Sequence, residues 1–518
     1  MSMNFDSVIV GSGVGSLTTA AALAICGKHV LVLEQHNRPG GYLHSFQRKN
    51  WEWNIGLHFI PAFRAEDELN KMFHTLTGNR VQLSPFKDKT LILEYPGRKF
   101  EFNSDSDYLK KKISEAFPAE KESLDAFWNK LERVGASAQK ILMPGFLPKR
   151  AAATAFFFST LPFFFFRNKT VKQVIDESFL DPKLKEFFYY FTTENGMAPD
   201  RSSFLFYAMM KASFFNGYSY PRGGGEAIVD ALIKTIEANG GKIRTGFEVE
   251  NVVVKEGKAV GVNGKNGEYI SGKNVVSGIG LQETFDRLLE PHHINNSYRK
   301  NINRFGTSGS MLTLFVGLKG DIAGVGAESG NFRIFWDAPL SNGSDPTAID
   351  WKPDGAMIMF PSLVDSAPNN DMHHTCEVMI QTRYEYFRKW ENQKSRKKDA
   401  SYREMKARLE QRLLKILIER FPGIEKFIRF YELGTPVTYE HYCRRRNGAF
   451  LGMEVTPEKF NNQQIHSVSP IKNLFLTGGD VTTCGVVGSF MSGIIAASHV
   501  TGKRLPNLLK QIDKPNQC

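Results

Sequence analysis

The residues best suited to chemistry stand at the two ends of the chain. Near the start, Gly11-Ser12-Gly13-Val14-Gly15-Ser16 places glycines where a backbone can approach a charged ligand closely. Gly11 permits a sharp turn, and Gly13 can bring its N–H up to a diphosphate with no Cβ in the way. Gly15 and Ser16 open a helix whose leading N–H groups and partial positive charge favour phosphate. Glu34, about twenty residues on, is an acceptor for both hydroxyls of an adenosine ribose, with Gln35 beside it. Ser16 takes the third place of a G-x-G-x-x-G pattern and is small enough for helix–strand packing.

Two further groups separate one nucleotide from another. Arg38-Pro39-Gly40-Gly41 follows the acid directly, and its paired glycine lets a second run of backbone amides reach the diphosphate; Tyr42 comes next. A plain NAD fold has no need of that second run, so the pattern predicts FAD. At the far end, Leu474-Phe475-Leu476-Thr477-Gly478-Gly479-Asp480 reads as a strand running into glycine and an aspartate. Asp480 can hold oxygens on the ribityl or diphosphate side, and the helix opened by Cys484-Gly485-Val486-Val487-Gly488 aims its N-terminal amides at the ring. In between, Val249 can offer its backbone to adenine, although a strand valine needs no such role.

These groups need a sheet to carry them. Residues 5–10 and 29–33 read as buried parallel strands around a helix over 17–25, and 275–278 reads as a strand returning to the same sheet. The expected class is α/β: a split Rossmann-like FAD-binding domain, a second mixed-sheet substrate domain and a partly helical insertion. The FAD-binding parts are placed at 1–75, 216–290 and 441–505, the substrate parts at 76–215 and 291–440, and a tail at 506–518.

Bulk properties narrow the partners. With 42% hydrophobic and 23% charged residues the chain has globular rather than disordered composition. The net charge of +12 favours anionic partners, but no nucleic-acid module accompanies it, so nucleic acid is set aside. The dense run Lys394-Ser395-Arg396-Lys397-Lys398 reads as a solvated face of a polar helical stretch, and Arg444-Arg445-Arg446 as solvated surface, with lipid headgroups or an acidic substrate end as the alternative partners. Five scattered cysteines without a CxxC pair argue against structural zinc and for a reducing compartment. No histidine spacing suggests a metal, and the start lacks a signal-peptide pattern, so cytoplasmic exposure is expected. Oligomeric state is not legible.

Taken together, Glu34-Gln35-His36, Gly40-Gly41, His44-Ser45-Phe46, Gly56-Leu57-His58-Phe59, Tyr220-Pro221-Arg222-Gly223-Gly224, Leu476-Thr477-Gly478-Gly479-Asp480 and Cys484-Gly485-Val486-Val487-Gly488 resemble the phytoene desaturase superfamily of flavoproteins. Within it, the blocks are similar to those of retinol saturases and carotenoid cis–trans isomerases. The resemblance runs over most of the chain and is weakest at 100–215 and 320–430. It implies FAD, a polyisoprenoid or similar hydrophobic small molecule, and chemistry at a carbon–carbon double bond. Tyr42 stands where many desaturases carry Arg, and Asn54 where an acid is usual, which leaves saturation, desaturation and isomerisation open. His58 is the candidate catalytic residue, to bond the cofactor or move a proton, with a structural histidine bonded to backbone as the alternative. His44 and Arg222 come after it.

Residues 151–166, Phe-rich and flanked by Lys149-Arg150 and Arg167, form the most apolar run. As a helix the run reaches about 24 Å, short of a hydrocarbon core of about 30 Å, and Pro162 would kink it. Peripheral dipping into one leaflet is expected, with a core helix or tunnel wall as the alternative. Two other functions share the fold: a flavin amine oxidase-type oxidase and a flavin-free prenyl-lipid carrier.

Overall fold

A computed structural model describes residues 5–61, 68–86, 89–103, 105–142, 153–190, 192, 194, 196–214, 217–336, 345–365, 371–391, 393 and 399–513. The run Lys394–Lys398, the flanking Lys149 and Arg150, and residues 151–152 lie outside them.

Strand Phe5–Val10 is buried almost throughout, as a central parallel strand with both faces covered must be. It pairs in parallel with Val30–Leu33 on one side and Tyr269–Ser277 on the other. Lys242–Arg244 extends one edge, while Leu474–Leu476 adds in parallel to Tyr269–Ser277. Lys258–Gly264 and Val249–Lys255 complete an antiparallel flap. Three distant stretches of sequence thus build one sheet, and the split nucleotide fold is present.

Helix Val14–Ile25 begins earlier than the sequence pattern suggests, because Gly13 takes an extended N-cap conformation directly after the turn. Its residues Val14–Ala24 are all buried, between the sheet and helices Gly224–Ala238 and Gly485–Thr501. Only small side chains fit such a crossing. A Cβ at Gly493 would lie 2.5 Å from the Gly15 carbonyl oxygen and 2.6 Å from Thr18 Cβ, and Thr19 Oγ1 donates across the gap to the Gly493 carbonyl at 3.1 Å. The stretch set apart as a tail begins with helix Leu505–Asp513, whose Leu508, Leu509 and Ile512 join this core.

The second sheet runs in the order Ile428–Gly434, Ser310–Lys319, His373–Thr382, Gly355–Met359, Asn331–Phe335, Leu91–Tyr95, Arg98–Phe102. It is mixed, since Asn331–Phe335 pairs in parallel with Leu91–Tyr95 and antiparallel with Gly355–Met359. Alternation along its strands sorts the residues between two faces. Leu312, Leu314, Phe332, Ile334, Val378 and Ile380 pack in one core with Leu409 and Leu413 of helix Ala400–Arg420. Met311, Thr313, Arg333, Phe335, Met357 and Met379 line a cavity instead.

Between Arg98–Phe102 and Tyr218–Pro221 the chain forms a helical insertion with an aromatic core of Phe127, Phe179, Phe187, Phe188 and Phe204. Helix Ala153–Phe166 runs through Pro162. Proline leaves groups on the preceding turn without their usual partners, and Ser137 of the neighbouring helix fills the gap. Its Oγ accepts from the Phe163 N–H at 2.8 Å and donates to the Thr160 carbonyl at 3.0 Å.

The crossing at Gly493 predicts that Gly493→Ala forces the two helices apart. Overpacking of this kind costs about 1–3 kcal/mol, so urea unfolding should show a lower midpoint with an unchanged slope. An unaltered midpoint would mean the crossing relaxes freely.

Candidate functional site

The glycine loops converge on a cleft of about 240 Å³ at the carboxyl ends of the parallel strands. Gly11, Gly13, Gly15, Ser16, Glu34, Gln35, Gly40, Gly41, Tyr42, Val249, Gly479 and Asp480 all line it. Gly488 does not; it faces the adjoining chamber. Ser12, which no spacing rule singles out, ties the loops together. Its N–H and Oγ both donate to Glu34 Oε2, at 3.0 and 2.6 Å, and Oγ accepts from the Gly40 N–H at 3.0 Å. Gly41 sits at φ +57°, where a Cβ would stand 3.2 Å from Gly13 Cα, so the second glycine loop packs directly on the first. Helices Val14–Ile25 and Gly485–Thr501 both start with no side chain capping the first turn. Such bare N-termini suit oxyanions.

Asp480 is buried and fully used. Its Oδ1 accepts from Arg445 Nη2 at 2.6 Å and from the Met453 N–H at 2.9 Å, and Oδ2 accepts from the Leu281 N–H at 3.0 Å. Burial opposes its charge, but Arg445, Lys459 and the two amides outweigh that and hold the carboxyl at about 2. Arg445 also donates to the Ile279 carbonyl at 3.1 Å. The reading of Arg444–Arg446 as solvated surface holds for the exposed Arg444 and is corrected for its neighbours: Arg445 is an internal counter-ion, and Arg446 pairs with Asp286 at 2.6 Å. The pair was invisible in sequence because its members lie in separate segments that meet only in the folded chain.

Beyond Tyr42, Gly56, Phe450, Leu451 and Cys484–Val486, which border both spaces, the cleft opens into a chamber of about 980 Å³. Its wall is largely apolar and flexible, with Met209, Met210, Met311, Met357, Met379 and Phe335 among its residues. Burial pushes the Cys484 thiol up to about 12, which removes it as a nucleophile.

His58 lines this chamber, and its Nδ1 lies 3.3 Å from Oε2 of Glu377, a carboxylate with no exposed surface. Among the described residues neither oxygen of Glu377 has a hydrogen-bond partner, and the His58 ring is not bonded to backbone through Nδ1. Glu194 also borders the chamber, between Lys211 Nζ at 2.5 Å and Arg333 Nη2 at 2.9 Å. Desolvation lowers Lys211 to about 8, with Glu194 opposing the shift. Sequence reading found none of Glu377, Glu194, Lys211 or Arg333, since each is a lone charge with no motif around it.

The remaining candidates divide. His44 is buried, its Nδ1 2.5 Å from the Gly41 carbonyl, and desolvation lowers its pKa; it shapes the loop. Arg222 is exposed and reaches Gln82 at 3.3 Å, away from both spaces. Asn54 accepts from the Gly225 N–H at 2.6 Å and donates to Tyr220 Oη at 3.0 Å, a donor role that a carboxylate would lose. Tyr42 donates to the Ala449 carbonyl at 3.0 Å.

Comparison with known proteins agrees with this geometry. The family described as flavin containing amine oxidoreductase matches residues 17–501. An all-trans-retinol 13,14-reductase of Danio rerio is 26% identical over 97% of this chain and 87% of its own length. A chloroplastic prolycopene isomerase of Daucus carota is 23% identical over 96% of this chain and 80% of its own. In three dimensions an oxidoreductase from Methanosarcina mazei superposes with a TM-score of 0.61 at 16% identity, covering 96% of this chain and all of that one (100%).

Breaking the internal pair should be costly. Arg445→Met leaves Asp480 buried without its counter-ion, a loss of about 3–5 kcal/mol, which urea unfolding would register together with a fall in retained flavin. Wild-type stability in the variant would show that the pair contributes little.

Proposed function

The chain belongs to the family of flavin-containing amine oxidoreductases, and on that premise we propose that it is an FAD-dependent oxidoreductase acting on a carbon–carbon double bond of a hydrophobic polyene or isoprenoid lipid. The observation that carries this reading is the apolar, methionine-walled chamber of about 980 Å³ opening directly from the glycine cleft. The relatives named for retinol reduction and prolycopene isomerisation point the same way.

The cleft suits FAD by its own geometry. A Cβ at Gly13 would meet no protein atom and would take up cleft space, Gly41 lets the second glycine loop pack on the first, and two bare helix N-termini offer N–H groups. Glu34 with Gln35 would hold the ribose, Val249 would offer its backbone to adenine, and Gly11, Gly13, Gly15, Ser16, Gly40 and Gly41 would cradle the diphosphate. Gly479 and the braced Asp480 would approach the ribityl side. Tyr42 and Gly488 would flank the ring at the chamber mouth. Bound FAD supplies two-electron chemistry at its ring.

Saturating a double bond also requires a proton at the second carbon. His58 is the chamber residue suited to deliver it, with Glu377 as the positioning residue beside its Nδ1 at 3.3 Å. The amine-oxidase reading fits less well. The chamber wall is largely apolar, and Glu194, which borders it, is already held between two cations. A flavin-free carrier would have no use for the glycine cradle.

Substrate entry from a membrane surface fits the helical insertion. Phe158, Phe164 and Phe165 of helix Ala153–Phe166 are 63%, 51% and 73% exposed, and Arg167 follows them. The helix end is tied to Asn461, beside the chamber residue Phe460, through Asn461 Nδ2 donating to the Arg167 carbonyl at 3.3 Å. No single helix among the described residues is long and apolar enough to cross a membrane, so the contact proposed is peripheral.

Two measurements test these points. Anaerobic mixing of the photoreduced protein with all-trans-retinol should restore the oxidised-flavin spectrum, and His58→Gln should slow that step about 100-fold or more. A protein that stays colourless after incubation with FAD would return the lipid-carrier reading. Replacing Phe164 and Phe165 by Ser should lower the partition constant onto anionic phospholipid vesicles about 100-fold or more, read by co-sedimentation, each buried aromatic being worth about 1.5–3 kcal/mol; equal sedimentation would sink the membrane contact.

A further inference from the structure

We infer that Lys459 tunes the bound flavin: its ammonium, at the start of helix Gly485–Thr501, stabilises the negative charge that the ring gains on reduction. The inference rests on the flavin alone and holds whichever substrate fills the chamber.

Lys459 lies on the short turn Pro457–Phe460, is 4% exposed and lines the chamber. A lysine so deeply buried is costly unless something balances it. The contact it makes is a long one: Nζ donates to the Gly479 carbonyl at 3.4 Å, which uses one of its three N–H groups. Among the described residues it forms no ion pair, and the two carboxylates whose charge reaches it are engaged elsewhere. Asp480 is held by Arg445 and two backbone N–H groups. Glu454 accepts from Arg201 at 2.5 Å and from the Gly306 N–H at 2.8 Å. Burial accordingly lowers the pKa of Lys459, against the opposing pull of Asp480.

The setting identifies the charge that this ammonium serves. Gly479 packs directly on the start of the last long helix, since a Cβ there would lie 3.1 Å from Cys484 Cα. Cys484 is the N-cap of that helix and offers no side-chain cap, so the ammonium stands beside a bare, positively polarised helix end. Cys484–Val486 border both the glycine cleft and the chamber, which is where the ring of a flavin held in the cleft would lie. The oxidised ring is neutral. After taking two electrons from an external donor and one proton at N5, it keeps one negative charge spread over N1 and the C2 carbonyl. A fixed positive charge therefore favours the reduced ring through its field, without touching substrate. Across about 6–10 Å of protein with an effective dielectric constant of about 20, one unit charge favours an opposite one about 10- to 100-fold.

The experiment measures the midpoint potential of the FAD-loaded protein by dye equilibration during slow anaerobic reduction. Wild type should lie above free FAD. Lys459→Met should fall by about 30–60 mV, a 10- to 100-fold loss at about 30 mV per tenfold for two electrons. Lys459→Gln, which keeps a donor for the Gly479 carbonyl but no charge, should fall as far, and Lys459→Arg should stay near wild type. Sulfite gives a second reading, because its sulfur lone pair bonds to N5 of the oxidised ring and leaves the same negative charge there. Its dissociation constant should rise about 10- to 100-fold in both neutral variants. An FAD-loaded neutral variant with the wild-type potential and sulfite affinity would assign Lys459 a purely structural role and overturn the inference. A wild-type potential no higher than that of free FAD overturns it too, even if every variant fails to fold. A protein that takes up no FAD overturns the flavin reading and this inference with it.

Discussion

The architecture turns on the absence of two Cβ atoms. Gly15 and Gly493 meet where helix Val14–Ile25 crosses helix Gly485–Thr501, and neither position has space for a side chain. A Cβ at Gly15 would press within 2.9 Å of the Gly478 nitrogen, so the same glycine also admits the turn after strand Leu474–Leu476. The first and last elements of the nucleotide fold are thereby brought into backbone contact. Asp480 and the start of helix Gly485–Thr501 then fall beside the loop of Gly11–Ser16. Separated by more than a larger side chain allows, these two ends would no longer close one cleft.

Around that contact the molecule keeps charge where water is scarce, and always by joining segments distant in sequence. Asp480 is balanced by Arg445, Glu377 lies beside His58, and Glu194 lies between Lys211 and Arg333. Replacing such pairs with packed apolar residues is often neutral or stabilising, so they are weak evidence for a stability role. Their setting gives them another use. One braces the cleft and the other two face the chamber, where a low dielectric strengthens each interaction.

Legibility followed range. Gly11 to Glu34 could be read because strand, turn, helix and acid form one local unit whose spacing is set by backbone geometry. The split sheet could be read because its outlying strands carry their own glycine punctuation. Asn54 and Tyr42 registered only as departures from a pattern, since their hydrogen bonds run to Tyr220, Gly225 and Ala449. Arg445 was misread as surface for the same reason: a triple-arginine run carries no mark of the aspartate that one member will meet.

By itself, then, the sequence determined the nucleotide-binding fold and the flavin, because periodicity and glycine spacing are local properties, while a hydrophobic ligand was implied by the resemblance that the motif blocks carry. The tertiary structure alone decided which charges face the chamber and how they are balanced. Glu377 and Arg333 lie on different strands of the second sheet, and only pairing and register set both on its cavity face. Side-chain direction along a strand follows from alternation, but what a side chain meets there depends on which distant segment packs above it.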